Sequence, residues 1–149
     1  MTTFVLVHGA WCDGSVWREV TPLLTAHGHR VESIAGLPSG GPELGDLSAD
    51  AEHVRAAVDA APADDDVVLV GHSYGGAVIT NAATDADNVV GLVYVAAFAP
   101  DEGETLLEVE GRTRDSVLLS ALRPNQYPTG AGSEPAVELS IDPASFREA

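Results

Sequence analysis

The sequence contains no lysine: all seven of its basic residues are arginines, among 149 residues. Lysine is essential to P-loop nucleotide binding, to pyridoxal Schiff bases and to the Ser-x-x-Lys hydrolases, so these classes are excluded. The 23 acidic residues give a net charge of −16 at pH 7, which argues against nucleic acids and anionic membranes as partners. No cofactor is predicted.

Cysteine and long apolar runs are also scarce. Cys12 alone cannot form an internal disulfide, and no run of about 18 apolar residues follows Met1, so the sequence favours a cytoplasmic location. We predict no metal site because the five histidines show no zinc-ligand spacing; they stand at positions 8, 27, 29, 53 and 72. The densest acidic run, Asp64–Asp66, is predicted to be a solvated face.

Short apolar runs alternate with segments of helical apolar spacing up to Pro100. Four runs predict buried strands: Phe4–Val7, His29–Ile34, Val67–Gly71 and Val89–Ala97. Three segments predict helices: residues 16–24 with a stop at Gly28, residues 51–58 ending near Pro62, and Gly75–Ala83. Strands separated by helices form parallel βαβ units, so an α/β fold is predicted.

The pattern changes after Pro100. Residues 116–122 predict a short helix, and residues 123–135, rich in Pro, Gly and Asn, predict irregular structure. Asp142 and Pro143 resemble an N-cap followed by proline, a helix start close to the last residue of the sequence. We therefore divide the sequence into a core at residues 1–100 and an excursion from the sheet at residues 101–149.

Ser73 stands where the third predicted strand turns directly into the third predicted helix. Residues 71–75, Gly-His-Ser-Tyr-Gly, match Gly-x-Ser-x-Gly, a sharp turn that presents a serine oxygen above the sheet. Its glycines allow close backbone approach, and the helix N-terminus favours developing negative charge. Ser73 is therefore the candidate nucleophile, with His72 beside it; the alternative is an ordinary turn.

His8, Gly9 and Ala10 end the first predicted strand, at the same edge of a parallel sheet as Ser73. Gly9 permits close approach there. The backbone amides of Ala10 and Tyr74 are candidate donors to the oxyanion of a tetrahedral intermediate. The alternative is that His8 and Gly9 simply end a strand.

Four segments together resemble the α/β-hydrolase superfamily, and within it the small-ester branch of methylesterases, hydroxynitrile lyases and bacterial hydrolases: FVLVHGAW, VWREVTPLLTAHGHRV, VVLVGHSYGG and LVYVAAFAPDEG. The resemblance implies a three-layer core with a mostly parallel sheet, an acyl-enzyme on Ser73 and a small-molecule ester substrate. It also implies that a lid begins after Pro100, and that Trp11 lies near the pocket wall with Gly9 and His72. Hydroxynitrile lyases of this branch carry threonine at the position of Gly9, so glycine there favours hydrolysis over cyanohydrin cleavage.

The family places an acid and then a histidine after the nucleophile, yet no histidine follows His72. Serine without a base is a poor nucleophile, and loss of a triad member costs roughly a millionfold in turnover. By topology, His8 is the nearest alternative base. Asp101 and Glu104 follow the fourth strand, either as an acid or, as we favour, as caps of a local turn.

Three explanations of the missing histidine remain open. The one we favour is that the sequence is the amino-terminal part of a longer serine esterase, with a sheet incomplete at its carboxyl end. The second is a short protein whose sheet is completed by a second copy or another chain, since the fourth strand is otherwise an apolar edge. The third is a ligand-binding protein that keeps the pocket without the chemistry.

Overall fold

A computed structural model of the chain describes residues 1–41, 45–112, 117–127 and 136–145. They fall into two compact units, Met1–Val109 and Glu110–Ala149. The strands are β1 Thr2–Val7, β2 Arg30–Ser33, β3 Asp66–His72, β4 Val89–Val95, β5 Leu122–Tyr127 and β6 Ala136–Ile141. The helices are α1 Thr21–Ala26, α2 Leu47–Asp59, α3 Gly75–Ala82, α4 Leu106–Gly111 and α5 Leu118–Ala121, with 3-10 turns at Gly14–Trp17 and Pro38–Gly40.

Four parallel strands form the sheet of the first unit, in the order β2-β1-β3-β4. The register pairs Val7 with Gly71 and His72 with Val95, so the carboxyl ends of β1, β3 and β4 lie at one edge. The predicted α/β fold is confirmed, and the ends of each predicted strand differ from the observed ones by no more than two residues.

The core of the first unit has a layer on each side of the sheet because side chains alternate along every strand. On one face, Val5 and Val7 pack in a buried cluster with residues of α2 and α3 such as Val54 and Ile79. On the other face, Leu6 packs with Trp17 of the first 3-10 turn and with the partly buried Leu24 of α1.

The first predicted helix is two elements in the structure. A 3-10 turn capped by the Asp13 side chain ends at Trp17, and α1 begins only at Thr21. The prediction of one continuous helix is wrong because Pro22 has no N–H to donate and fits only the first turn of a helix. Gly28 adopts a φ of 86° just after α1, so the predicted stop is confirmed.

Asp65 corrects the prediction of a solvated acidic run. This residue is 6% exposed, and it accepts a hydrogen bond of 2.8 Å from the Thr3 hydroxyl. The amino group of Met1 and the Arg30 guanidinium lie 3.6 and 3.5 Å from its oxygens. Only the two neighbouring aspartates are exposed, because the run lies where β3 begins, beside the amino end of β1.

The second unit contains an antiparallel hairpin of β5 and β6. The prediction of irregular structure is wrong for residues 123–127; residues 128–135 lie outside the described residues. Pro124 is tolerated in β5 because a strand of a two-stranded ribbon has one edge without ladder hydrogen bonds.

Two further predictions concern residues 116–122 and the cap at Asp142. The helix predicted at 116–122 is observed as α5, with residue 116 outside the described residues. The Asp142 carboxylate accepts a hydrogen bond of 3.0 Å from the Ala144 amide, as the predicted cap requires. Residues 146–149 lie outside the described residues. The division of the chain at residue 100 and the role of residues 101–149 as the start of a lid stay predictions.

Candidate active site

Ser73 occupies a sharp turn between β3 and α3, with only Tyr74 between it and the helix. Its φ is 53°, in the left-handed region, which costs a non-glycine residue roughly 1–3 kcal/mol. Hydrogen bonds hold this backbone in place: the Ser73 carbonyl accepts from the amides of Gly76 at 3.0 Å and Phe98 at 3.1 Å. The turn therefore has the strained geometry of the predicted nucleophile-bearing motif.

Three glycines let the turn pack against its surroundings. A Cβ on Gly71 would lie 2.6 Å from the Gly75 carbonyl oxygen, and one on Gly75 would lie 2.6 Å from that of His8. A Cβ on Gly76 would collide with the carbonyl oxygen of Phe98. The Gly-x-Ser-x-Gly pattern identified the first two glycines; it contains no position for Gly76, whose requirement arises from the chain after β4.

Gly9 lies directly against the turn. A Cβ at this position would stand 2.8 Å from Ser73 Cβ and 3.2 Å from His72 Nδ1. His72 is half-buried, and its Nδ1 finds no hydrogen-bond partner among the described residues. The structure thus brings together Gly9, His72 and Ser73, which the sequence placed at one edge of the sheet.

The two predicted oxyanion donors are backbone amides next to this cluster. Tyr74 is the N-cap of α3, and its N–H, like that of Ala10, donates to no acceptor within the described part of the chain. Free N–H groups at a helix start are available to a developing negative charge. Their role as an oxyanion hole stays a prediction.

Trp11 follows Ala10 with a φ of 58°, and its side chain is 45% exposed. The turn at this residue directs the chain away from the end of β1 toward the first 3-10 element. A place for Trp11 in the pocket wall stays a prediction.

His8, the alternative base, is 4% exposed. Its Nδ1 lies 2.8 Å from the Gly9 carbonyl oxygen, so Nδ1 donates, and in the neutral ring Nε2 carries the lone pair. Nε2 is buried without a partner among the described residues. His8 therefore has a free acceptor atom near the end of β1, and its use as a base stays a prediction.

Asp101 and Glu104, which follow β4, belong to a local turn. The Glu104 carboxylate accepts from the Asp101 amide at 2.8 Å, and the Asp101 carbonyl accepts from the Glu104 amide at 3.1 Å. The capping interpretation of these residues is confirmed.

Sequence reasoning missed Asp50. It lies in α2, is fully buried and accepts a hydrogen bond of 2.8 Å from the Tyr74 hydroxyl. A signal was present: Asp50 precedes Val54 and Val58 at intervals of four, so a carboxylate occupies the apolar stripe of the helix.

Cys12 lies at the surface of the protein. The pKa of its thiol is raised, mainly because the thiol is partly desolvated and secondarily because the negative charge of Asp13 lies nearby. A smaller thiolate fraction slows alkylation, so we expect iodoacetamide to modify Cys12 more slowly at pH 8 than it modifies glutathione. Asp13→Asn, which retains a capping oxygen for Ser15, should speed the reaction by about threefold. An equal rate in the variant, measured by mass spectrometry, would contradict the electrostatic explanation.

No group of three or more potential metal ligands occurs among the described residues. None of the helices in the described ranges combines the length and apolar character needed to cross a bilayer.

Comparisons with known proteins agree with this geometry. A sequence profile of the Alpha/beta hydrolase family matches residues 4–148. The carbendazim hydrolyzing esterase of Nocardioides sp. (strain SG-4G) is 40% identical over 114 residues, covering 72% of this chain and 46% of that protein. Methylesterase 2 of Arabidopsis thaliana is 38% identical over 122 residues, covering 76% of this chain and 46% of that protein. The crystal structure of polyneuridine aldehyde esterase matches with a TM-score of 0.80 at 26% identity, over 98% of this chain and 60% of that one.

The chain spans about half the length of the curated relatives it matches. The matched residues include β1, β3, α3 and the serine turn between them. The resemblance drawn from the four sequence segments is confirmed, and the chain belongs to the alpha/beta hydrolase family.

Proposed function

We propose that this chain is the amino-terminal part of a serine hydrolase that cleaves small carboxylic esters through an acyl-enzyme on Ser73. The observation that carries the proposal is the backbone of Ser73, held at a φ of 53° between β3 and α3 and packed against Gly9. A strained backbone of this kind persists only where the surrounding structure enforces it. In this type of turn, the serine oxygen is presented at the carboxyl edge of the sheet.

In the proposed reaction, Ser73 Oγ attacks the ester carbonyl as its proton passes to a base. The carbonyl oxygen becomes an oxyanion, and in this proposal the backbone amides of Ala10 and Tyr74 donate to it. Collapse of the intermediate releases the alcohol, which takes up the proton. Water then attacks the acyl-serine, releases the carboxylic acid and restores the Ser73 hydroxyl.

We propose that the triad acid and histidine lie in a further segment of the same polypeptide that pairs with β4. The exposed apolar side chains of this edge strand support the proposal. Val90 is 60% exposed, and Leu92, Val93, Tyr94 and Val95 are each at least 36% exposed. Parallel sheets are normally covered on both faces, so a strand of this composition favours an additional partner. The greater length of the relatives also supports this proposal.

The names of the relatives support the ester substrate. They include a carbendazim hydrolyzing esterase and a methylesterase, both of which match the residues around Ser73. We propose a small ester as the substrate class of this protein as well.

The test is intact-mass spectrometry of the protein from its natural source, before and after treatment with a fluorophosphonate that labels activated serines. We expect a mass above 15.4 kDa and one adduct, mapping to Ser73. The 149-residue chain alone should take up the label far more slowly, because it contains no histidine after His72.

Two variants of the natural-length product provide the controls. Ser73→Ala should abolish labelling, whereas Ser48→Ala, which removes an exposed hydroxyl on α2, should retain it. A natural mass of 15.4 kDa without an adduct would contradict the proposal and favour a ligand-binding protein. An adduct on another serine would contradict the role of Ser73.

A further inference from the structure

Asp50 is a fully buried carboxylate with a complete set of partners. It accepts three hydrogen bonds: from the Ser39 amide at 2.8 Å, from the Ser39 hydroxyl at 2.5 Å and from the Tyr74 hydroxyl at 2.8 Å. The three donors come from two segments that are distant in sequence, the 3-10 turn Pro38–Gly40 and the serine turn. Asp50 therefore connects α2 to both.

Burying a carboxylate at position 50 costs desolvation free energy. The same stripe of α2 carries Ala51, Val54 and Val58 into the core, and an apolar residue at position 50 would avoid the cost of burying a polar group. Helix packing alone does not explain why aspartate is found there. What the carboxylate adds is a directed hydrogen bond to Tyr74.

The Tyr74 hydroxyl is the donor of its hydrogen bond with Asp50. Burial, and then the hydrogen bond to Asp50, raise the pKa of the phenol. The phenol therefore stays protonated at neutral pH and can donate to Asp50.

The side chain of Tyr74 is held by its hydrogen bond to Asp50, and its backbone amide lies at the N-terminus of α3. The peptide that contains this amide joins it to Ser73, which is itself in the left-handed region. Fixing the phenol limits rotation of Tyr74 about its own backbone bonds, and such rotation would reorient its N–H. We propose that Asp50 is a positioning residue, which holds the Tyr74 amide in the orientation that an oxyanion requires.

This inference rests on the proposed function, since it assigns the amide a role in ester cleavage. A misplacement of a catalytic group by about 1 Å costs roughly a hundredfold. In the natural-length product, Asp50→Asn and Tyr74→Phe should each lower kcat for p-nitrophenyl acetate by about tenfold to a hundredfold, with KM changed by less than about twofold.

Tyr74→Phe is the decisive variant if Asp50→Asn fails to fold, because it removes only the hydroxyl that Asp50 binds and keeps the ring. The double variant should be no slower than the slower single variant, as residues acting through one contact are non-additive. Glu52→Gln, which changes an exposed carboxylate two residues away on α2, is the matched control and should keep the wild-type kcat.

A second readout does not depend on turnover. In ¹⁵N-labelled 149-residue protein, Asp50→Asn should shift the Tyr74 amide resonance, and Glu52→Gln should leave it in place. An unmoved Tyr74 resonance in Asp50→Asn would overturn the inference.

The kinetic outcomes separate the inference from the proposed function. If Ser73→Ala is inactive while Tyr74→Phe keeps the wild-type kcat, the inference is wrong and the proposed function stands. If Ser73→Ala keeps the wild-type rate, the proposed function is wrong and the inference is overturned with it.

Discussion

Ser73→Gly is expected to abolish ester cleavage and, at the same time, to stabilise the fold. Loss of the nucleophile should lower kcat of the natural-length product by roughly a millionfold. Glycine adopts a φ of 53° without the penalty that serine incurs, and this relief exceeds the added chain entropy of glycine. We expect the free energy of unfolding to rise by roughly 0.5–1 kcal/mol, measured by urea denaturation of the 149-residue chain.

Ser73→Ala separates the two effects. It should be as inactive as Ser73→Gly, yet its free energy of unfolding should stay close to that of the wild type, because alanine is strained at the same φ. Equal stability of the glycine and alanine variants would contradict the interpretation that Ser73 is held in a strained conformation. Residual turnover above a thousandth of the wild-type rate would contradict its role as nucleophile.

Gly75→Ala is expected to cause the largest loss of stability among the substitutions considered. The added Cβ would lie 2.6 Å from the carbonyl oxygens of both Val7 and His8, which are backbone atoms that cannot rotate away. Either β1 or α3 must shift, and the buried cluster shared by Val7 and Ile79 would be disturbed. We expect a loss of about 3 kcal/mol or more, and a fall in Tm of about 6–12 °C by differential scanning calorimetry.

Gly36→Ala is the matched control for this substitution. Nothing lies within 4 Å of a Cβ at Gly36, and its backbone is outside the left-handed region. Alanine should therefore leave stability unchanged or raise it by up to about 1 kcal/mol. A Gly75→Ala variant with the Tm of the Gly36→Ala variant would show that α3 does not lie as close to β1 as described.

The serine turn was predictable because its signals are local. The apolar run of β3, the two motif glycines and the start of α3 follow each other directly, and each has a physical role that sequence alone reveals. The parallel orientation of the strands followed from the same local patterns and the rule for βαβ connections.

The hydrogen-bond partners of the buried aspartates were not predictable in this way. Asp65 is bound by Thr3, 62 residues away, and Asp50 by Tyr74, 24 residues away. An acidic residue is usually exposed, and only the fold brings these donors to the carboxylates. The hairpin of β5 and β6 was missed for a different reason: Pro124 weakens the strand signal, while the edge of a two-stranded ribbon tolerates it.

The hydrogen bond from the Phe98 amide to the Ser73 carbonyl connects the serine turn to the chain that follows β4. Phe98 comes after β4, one of the two edge strands of the sheet, and the end of an edge strand frays more readily than the centre of a sheet. The rigidity of the Ser73 backbone thus depends partly on the chain beside an edge strand. A segment that paired with β4 would protect this edge and, through the bond between Phe98 and Ser73, would also stiffen the serine turn.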